Sequence, residues 1–303
     1  MGAAASGVLI LAGPTAVGKT EVALDLAERF EAEIVGADAR QIYRDMPIGT
    51  AAPTEEQRRR IRHHLVGFLD PHEQYSAARF CRDALAAIRD IAVRGKRAIV
   101  AGGTGFYIRA LCGDVRLAGA YDPELRNRLM REARVHPPEV LHAWLGVRDP
   151  VRASALAPGD RYRVVRALEI ALAGGSSEEM RPPTLRESGI PFAKVFLDLD
   201  DATLEQRIRR RVGAMLSQGF VTEAEAVGAK AIAADAVGYP HALAYACGWC
   251  TDEELRALLV RTTRRYAKRQ RTWFRGEPGV EWMSVTEGSW RAAQLARDAL
   301  GWA

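Results

Sequence analysis

The stretch Gly13-Pro14-Thr15-Ala16-Val17-Gly18-Lys19-Thr20 decides the fold, because it matches the spacing G-x-x-x-x-G-K-[ST] at every position. The apolar run from Val8 to Ala12 precedes it and has the length of a buried strand. After the stretch, apolar residues recur on one face of a helix from Val22 to Phe30. Strand, glycine loop and helix in this order predict a P-loop, whose backbone N–H groups and helix N-terminus bind a phosphate group.

Two side chains at the end of the loop have separate expected roles. Lys19 would neutralise terminal phosphate oxygens, and the hydroxyl of Thr20 would ligate Mg²⁺. The backbone of the whole loop is expected to line this site: Gly13, Pro14, Thr15, Ala16, Val17, Gly18, Lys19 and Thr20. The loop alone leaves open whether the phosphate belongs to a nucleotide such as ATP or to another molecule.

The composition is that of a globular protein. The chain has 303 residues, of which 48% are hydrophobic, so it can bury a sizeable interior. Its 43 basic and 38 acidic residues give a net charge of only +5, so a polyanion would have to bind to a local basic patch. No apolar run approaches the roughly 20 residues that span a bilayer. We expect a cytoplasmic monomer with no membrane segment.

Cys247 and Cys250 are expected to be small buried residues, because no second cysteine pair completes a zinc site.

Two further strands carry polar groups toward the same edge of the sheet. Asp38 follows the apolar stretch 33–37, and Gly102-Gly103-Thr104-Gly105 follows the stretch 97–101. Ligands of parallel sheets collect at the carboxyl ends of the strands, so we expect Asp38 and this second glycine loop beside the P-loop. Asp38 could also be the N-cap of a helix, and the glycines could simply form a tight turn between strand and helix.

The fold class predicted from this pattern is α/β, with a P-loop NTPase-like parallel sheet flanked by helices. Between Gly113 and Pro183 prolines and arginines become frequent and β-branched runs are few. This change in composition predicts a small helical insertion domain at 114–183, inside a core domain formed by 1–113 and 184–303.

Three helical segments carry clustered arginines. In the helix 160–169, Arg163 and Arg166 share one face, which is either solvated or binds RNA phosphates. The segment 203–206 matches a capping box, and Arg207 and Arg211 lie on the helix that it would open. A last long helix is expected to start at Thr251. It ends in a stretch where basic and aromatic residues alternate: Arg261, Arg264, Arg265, Tyr266, Lys268, Arg269, Arg271, Trp273, Phe274 and Arg275. Such a mixture suits a nucleic-acid backbone and a stacked base, although Tyr266 and Trp273 could equally be core residues.

Taken together, these segments resemble the tRNA dimethylallyltransferases, also called tRNA isopentenyltransferases or the IPP transferase family. Members prenylate an adenosine beside the anticodon. The resemblance extends from end to end of the chain. Its motifs are Gly13 to Thr20, Asp38-x-x-Gln41-x-Tyr43, Met46-x-Ile48-Gly49-Thr50-Ala51, His63-His64-Leu65, Tyr75-Ser76-Ala77, Gly102 to Tyr107, Arg163-x-x-Arg166-Ala167-Leu168-Glu169, Val237-Gly238-Tyr239, and Ala267-Lys268-Arg269-Gln270-x-Thr272-Trp273-Phe274-Arg275.

The resemblance implies a loop that holds the diphosphate of dimethylallyl diphosphate rather than ATP, and transfer of the alkyl group to N6 of adenosine in tRNA. Asp38 would accept the N6 proton, and Thr104 would hydrogen-bond at the diphosphate and the reacting centre. Lys19, Arg207 and Thr20 with Mg²⁺ would stabilise charge on the leaving group. The adenosine would have to leave its stack to reach this site.

The resemblance also implies a set of residues that contact tRNA. They are Asp38, Ala39, Arg40 and Gln41 beside the strand, Arg126, Tyr162, Arg163 and Arg166 in the insertion, and Lys268, Arg269 and Trp273 on the last helix.

Three positions depart from the family pattern. Ala39 replaces the usual Ser, Tyr162 a common Gln, and Asp201 an Arg that assists diphosphate binding in many members. We expect Arg211 or Arg209 to compensate for the missing arginine.

Three other functions fit the sequence less well than tRNA prenylation. A P-loop small-molecule kinase would need the loop and a lid, but not Trp273, Phe274 and the basic helix around them. An adenylate isopentenyltransferase acting on free nucleotide has little reason for a basic C-terminal stretch. A protein that only binds RNA would not need Lys19, Asp38 and Thr104 around one anion site. The sequence therefore favours the tRNA prenyltransferase, with the kinase as the next alternative.

Overall fold

The computed structural model describes residues 7–115, 117, 122–173 and 182–303. The chain divides into two compact units, one formed by residues 1–115 and 183–303 and the other by residues 116–182. Each unit is described by itself below. No helix in the described ranges combines the length and the apolar character needed to cross a membrane.

The larger unit is built on one parallel sheet, as the sequence predicts. The strands are β1 (Val8–Ala12), β2 (Ala32–Gly36), β3 (His63–His64), β4 (Arg97–Gly102), β5 (Phe192–Asp198) and β6 (Val280–Ser284). Their order in the sheet is β3-β2-β4-β1-β5-β6, and every neighbouring pair is parallel. All residues of β1 and β2 are buried, as expected for central strands covered on both faces.

Helices connect the strands and form the smaller unit. In chain order they are α1 (Lys19–Arg29), α2 (Pro47–Thr50), α3 (Glu55–Arg60), α4 (Ala77–Val93), α5 (Gly105–Cys112), α6 (Pro123–Val135), α7 (Pro138–Arg148), α8 (Pro150–Ser154), α9 (Arg161–Leu172), α10 (Asp201–Ser217), α11 (Phe220–Val227), α12 (Tyr239–Ala246), α13 (Asp252–Arg275) and α14 (Val285–Leu300). In the larger unit, Leu9 and Leu11 of β1 pack in one apolar cluster with residues of α1 and α14. Helices α4 and α5 pack against each other, and α4 also contacts β2 and β4.

The smaller unit has an apolar core of its own. Helices α6, α7, α8 and α9 bury one cluster that includes Leu129, Leu141, Leu145, Val164 and Leu168. The described part of this unit is therefore helical, and its core forms from the apolar faces of these four helices.

Two helix starts differ from the sequence expectation. Helix α10 begins at Asp201 and not after Thr203, because the carboxylate of Asp200 accepts a hydrogen bond from the Thr203 amide at 2.9 Å and caps the helix earlier. No helix begins at Asp38. Its Oδ1 atom accepts hydrogen bonds from the amides of Arg40 and Gln41, at 2.9 and 3.4 Å, and so closes a turn.

Two other expectations were wrong. Helix α13 does start after Thr251, which forms the capping box with Glu254, but it is not the last element, because β6 and α14 follow it. Strand β6 pairs with β5 far from it in sequence, a contact that local patterns do not reveal. Cys247 is exposed and not buried, because it lies at the C-terminal cap of α12, while Cys250 is half-buried.

Candidate active site

The three predicted site segments follow three neighbouring strands. The P-loop follows β1, Asp38 follows β2, and Gly103 and Thr104 follow β4, and the order of these strands is β2-β4-β1. Because the strands are parallel, the segments meet at one edge of the sheet. The Thr104 hydroxyl accepts a hydrogen bond from the Ala39 amide at 2.9 Å, and the Thr104 amide donates to the Ala37 carbonyl at 3.1 Å. The second glycine loop is therefore joined directly to the backbone around Asp38.

The P-loop folds around the side chain of its own lysine. Gly18 has a φ of 106°, in the left-handed region that favours glycine, just before α1 begins. Lys19 Nζ donates hydrogen bonds to the carbonyl oxygens of Gly13 and Pro14, each at 2.9 Å. Burial lowers the pKa of Lys19 to about 8, although the nearby Asp38 carboxylate opposes this shift.

A cavity of about 630 Å³, here called the loop cavity, lies beside this loop. Its wall includes the P-loop residues Thr15, Ala16, Gly18, Lys19 and Thr20, together with arginines from α10. Those arginines are Arg207, Arg210 and Arg211. The cavity therefore combines a helix N-terminus with four cationic side chains, an arrangement suited to an anion of high charge.

A second cavity of about 490 Å³, here called the aromatic cavity, lies against α13. Phe106, Tyr266 and Trp273 contribute rings to its wall, and Ala39, Thr104 and Arg269 also line it. Aromatic rings beside polar groups suit a planar ligand such as a nucleobase.

The two cavities share part of their walls within the described part of the chain. The shared residues are Thr15, Asp38, Thr50, Arg211 and Gln270, and of these Asp38 alone carries a carboxylate. The site can therefore hold an anionic ligand and a planar ligand on the two sides of the same carboxylate.

The structure distinguishes between the two arginines expected to compensate for Asp201. Arg211 is half-buried in the shared wall, and its guanidinium donates to the Thr50 carbonyl at 3.3 Å. Arg209 lines neither cavity and forms an exposed ion pair with Glu205 at 2.7 Å. Asp201 is exposed and forms an ion pair with Arg271. Arg211 is thus at the site and Arg209 is not.

The remaining arginines of α10 support the loop in different ways. Arg207 donates a hydrogen bond to the Val17 carbonyl at 2.6 Å and so holds the P-loop as well as lining the loop cavity. Arg210, which the sequence patterns did not single out, also lines this cavity. Burial lowers the pKa of Arg211, and the nearby Asp38 opposes that shift.

One face of α13 forms the wall of the aromatic cavity. Its residues are spaced three or four apart: Leu259, Thr263, Tyr266, Gln270 and Trp273. Tyr266 and Trp273 are thus cavity residues and not only core residues. Burial, and then the charge of Asp38, raise the pKa of the Tyr266 hydroxyl, which stays neutral. The sequence left Tyr266 open between a stacking role and a core position, and it assigned no site role to Gln270.

The indole ring of Trp273 packs against the ion pair formed by Arg109 and Glu277. The guanidinium of Arg109 lies 4.5 Å from the centre of the indole ring, and Glu277 accepts a hydrogen bond from Arg109 Nε at 2.6 Å. Phe106 meets the same indole edge to face, with ring centres 6.4 Å apart. These contacts fix the plane of the ring.

The residues expected to contact tRNA beside Asp38 have partners within the chain. Gln41 donates from its amide to the carbonyls of Thr50 and Ala51, at 3.1 and 3.0 Å. Arg40 pairs with Asp235 at 2.8 Å. Lys268 and Arg269 are exposed, and Arg269 lies over the Tyr266 ring. These positions are at or near the cavities, and their contact with tRNA stays a prediction.

The expected tRNA residues of the smaller unit differ in exposure. Arg126 and Arg166 both form ion pairs with the buried Glu169, at 3.2 and 2.8 Å. Arg163 is 64% exposed and pairs with Asp160, while Tyr162 is exposed and has Arg126 5.8 Å from its ring centre. Arg163 and Tyr162 are therefore available to a ligand, whereas Arg126 and Arg166 also stabilise the fold.

The chain is similar to known proteins over most of its length. The family model described as IPP transferase matches residues 41–277, and the one described as isopentenyl transferase matches residues 6–68. The chain belongs to the IPP transferase family. Among curated relatives, this family member is 40% identical to a tRNA dimethylallyltransferase of Desulfosudis oleivorans over 288 residues, which cover 93% of this chain and 92% of the relative. It is 44% identical to that of Anaeromyxobacter dehalogenans over 282 residues, covering 91% and 94%.

Solved structures of IPP transferases have the same fold. A tRNA isopentenylpyrophosphate transferase from Bacillus halodurans superposes with a TM-score of 0.70 at 33% identity, covering 98% of this chain and 96% of the other. A eukaryotic dimethylallyltransferase acting on tRNA gives a TM-score of 0.76 at 25% identity, covering 96% and 77%.

Proposed function

We propose that this chain transfers the dimethylallyl group of dimethylallyl diphosphate to the exocyclic N6 amine of the adenosine 3′ of the anticodon in tRNA, releasing diphosphate. The observation that carries the proposal is the position of Asp38 in the wall shared by a cationic cavity and an aromatic cavity. The names of the curated relatives support the same substrate class.

The loop cavity provides the binding groups for the diphosphate. Backbone amides at the start of α1 and the side chains of Lys19, Arg207 and Arg211 supply positive charge around it. The C1–O bond of the allyl diphosphate breaks with its electron pair on oxygen, so negative charge grows where these groups are already placed. Arg211, which is half-buried, supplies a positive charge in place of the arginine that Asp201 replaces.

Mg²⁺ fits this site as an ion held mainly by the diphosphate. No cluster of three or more His, Cys, Asp or Glu residues able to hold a metal occurs in the described ranges. Mg²⁺ commonly keeps few protein ligands and binds substrate phosphates, so the hydroxyl of Thr20, which lines the loop cavity, would suffice as a ligand. When bound, the ion neutralises part of the charge on the diphosphate.

The aromatic cavity provides the acceptor side. The adenine ring would lie against Tyr266, Trp273 and Phe106, with its N6 amine toward Asp38. Asp38 Oδ1 is held by the Arg40 amide, and within the described residues no group donates a hydrogen bond to Oδ2. As the C1–N6 bond forms, Oδ2 accepts the N6 proton, and Thr104 keeps the Asp38 backbone in place through the Ala39 amide.

The site also bears on the two alternatives. A small-molecule kinase does not require the row of α13 side chains that forms the aromatic cavity. A prenyltransferase for free adenine nucleotides would use both cavities, so acceptor size is what separates it from the tRNA enzyme. The exposed Lys268 and Arg269 next to the aromatic cavity favour an acceptor that carries a phosphate backbone.

We also propose that the enzyme acts as a monomer in the cytoplasm.

The test is transfer of radiolabelled dimethylallyl diphosphate to three separate acceptors. They are an anticodon stem-loop with adenosine 3′ of the anticodon, free AMP, and ATP with a pool of small hydroxyl and amine acceptors. Label in the stem-loop alone supports the proposal. Label in AMP identifies the free-nucleotide enzyme, and consumption of ATP without prenyl transfer identifies a kinase.

A further inference from the structure

Gln270 is a buried polar side chain with both ends of its amide in use. Only 5% of the residue is exposed. Its Oε1 atom accepts a hydrogen bond from the Thr15 amide at 2.8 Å, and its Nε2 atom donates to the Gly103 carbonyl at 3.0 Å. One side chain of α13 thus bridges the P-loop and the second glycine loop.

Gly103 fits this bridge because it has no side chain. A Cβ atom at this position would lie 2.1 Å from Gln270 Nε2, far inside contact distance. The backbone of Gly103 is not in the left-handed region, so the close approach of the amide, and not backbone conformation, explains the glycine.

The bridge joins the donor side of the site to the acceptor side. Thr15 belongs to the P-loop, and Gly103 directly precedes Thr104, which holds the Ala39 amide beside Asp38. Hydrogen bonds from the P-loop through Gln270 to Gly103, and from Thr104 to Ala39, therefore connect the P-loop to the segment of the general base through the Gly103–Thr104 peptide bond. Gln270 also lines both cavities, as does Asp38.

We infer that Gln270 is a positioning residue that sets the spacing between the bound allyl diphosphate and the acceptor amine. The inference rests on the proposed function and deepens it. In-line transfer requires C1 and N6 at a separation of about 3–3.5 Å, and a misplacement of about 1 Å can reduce turnover ~10²-fold. Gln270 positions two loops relative to each other and is not the binding group of one substrate. Its loss should therefore reduce kcat more than it weakens the binding of either substrate.

Two near-isosteric variants test this. Gln270→Met removes both hydrogen bonds, and Gln270→Glu keeps the acceptor for Thr15 but places a carboxylate oxygen against the Gly103 carbonyl. We expect kcat to fall roughly 10- to 100-fold in both, with KM for dimethylallyl diphosphate and stem-loop affinity within about threefold of wild type. Gln218→Glu, at an exposed glutamine after α10, is the matched control and should behave as wild type.

A pH profile separates positioning from general loss of structure. In the Gln270→Glu variant, a protonated carboxyl can donate to the Gly103 carbonyl as the amide does, and burial raises the pKa of such a carboxyl. The ratio of wild-type kcat to that of Gln270→Glu should therefore shrink as pH falls, while the ratio for Gln270→Met stays constant. Gly103→Ala displaces the amide from the other side. The reductions in kcat caused by Gly103→Ala and by Gln270→Met should be less than additive in the double variant, because both substitutions break the same contact.

The outcomes are distinct. Wild-type enzyme that transfers no prenyl group overturns the proposed function together with this inference. Active wild type with full turnover in Gln270→Met overturns only the inference. Weakened substrate binding at unchanged kcat also overturns it, because Gln270 would then be a binding contact. Reduced kcat with pH-dependent recovery of Gln270→Glu supports it.

Discussion

The ammonium group of Lys19 lies 2.9 Å from the carbonyl oxygen of Pro14, so the P-loop binds its own lysine. The same group also donates to the carbonyl oxygen of Gly13, and the residue is half-buried in the wall of the loop cavity. An incoming phosphate would therefore compete with these two carbonyl oxygens for the ammonium group. The charge state of Lys19 consequently controls how well the loop cavity binds an anion.

Binding of dimethylallyl diphosphate without acceptor should weaken as pH rises through about 8, where Lys19 loses its proton. Well below that pH the ammonium form is complete, and affinity should be constant with respect to this group. Calorimetric titration from about pH 7 to about pH 9.5 spans the change. Lys19→Met should bind more weakly at every pH and lack the decline, and a decline that persists in this variant assigns it to another group.

Asp38→Asn should reduce turnover about 10²- to 10⁴-fold, the usual contribution of a general base, while stem-loop affinity stays near wild type. Asn keeps the Oδ1 acceptor that the Arg40 amide uses, so the turn should persist. Single-turnover transfer and filter binding measure the two quantities. Asp45→Asn, at an exposed position on the same segment, is the control, and equal turnover in both variants contradicts the role of Asp38.

Arg163→Gln should affect only RNA binding, whereas Arg166→Gln should affect both RNA binding and the stability of the fold. Arg163 is mostly exposed, so its loss should reduce the salt dependence of stem-loop binding by about one unit of slope without altering the melting temperature. Arg166 pairs with the buried Glu169, so its loss should also cost about 1–3 kcal/mol of stability. Salt-dependent binding and thermal denaturation provide the measurements. An unchanged slope in Arg163→Gln removes this residue from the RNA contacts.

Glu223→Gln should destabilise the short helix α2, which carries Thr50. The Glu223 carboxylate accepts hydrogen bonds from the Ile48 and Gly49 amides at 2.8 and 2.7 Å, and from Tyr239 at 2.7 Å. An amide cannot accept on both atoms, so one buried donor is left unpaired at a cost of about 1–3 kcal/mol. Urea denaturation measures the loss. Glu225→Gln, on the exposed side of the same helix, should be neutral.

Acid should remove the stabilisation that Glu33 provides. Burial opposes ionisation of this carboxyl, but hydrogen bonds from His64 and Arg94 outweigh it and hold its pKa below the ordinary value. The contribution is therefore complete above the unfolded pKa, near 4.5, and is lost as pH falls through the lower folded pKa. Denaturant melts from neutral pH down to about pH 3 should show a weaker pH dependence in Glu33→Gln than in wild type.

Local patterns were sufficient for part of the site. Gly13 to Thr20 and Asp38 could be found because glycine spacing, buried strands and the rules of parallel sheets act over short stretches of sequence. The role of Gln270 could not, since its partner Thr15 is 255 residues away and the bridge exists only once α13 is in place. The sequence also could not decide between Arg211 and Arg209, because the answer depends on which face of α10 is turned toward the site. Strand β6 was not predicted from the sequence, because its hydrophobic run is short and it pairs, within the described residues, with β5 alone.

The position of β1 in the middle of the sheet affects how the protein is made. This strand is paired on one side with β4 and on the other with β5, and the cluster around it is completed by residues of α14. The P-loop therefore leaves the ribosome long before the segments that enclose it have been translated. Pairings of such long range form slowly, so the nascent chain must keep the apolar strand β1 out of aggregates until β4, β5 and α14 have been translated. The P-loop is therefore translated before the segments that surround it, and it can bind phosphate only after they have folded around β1.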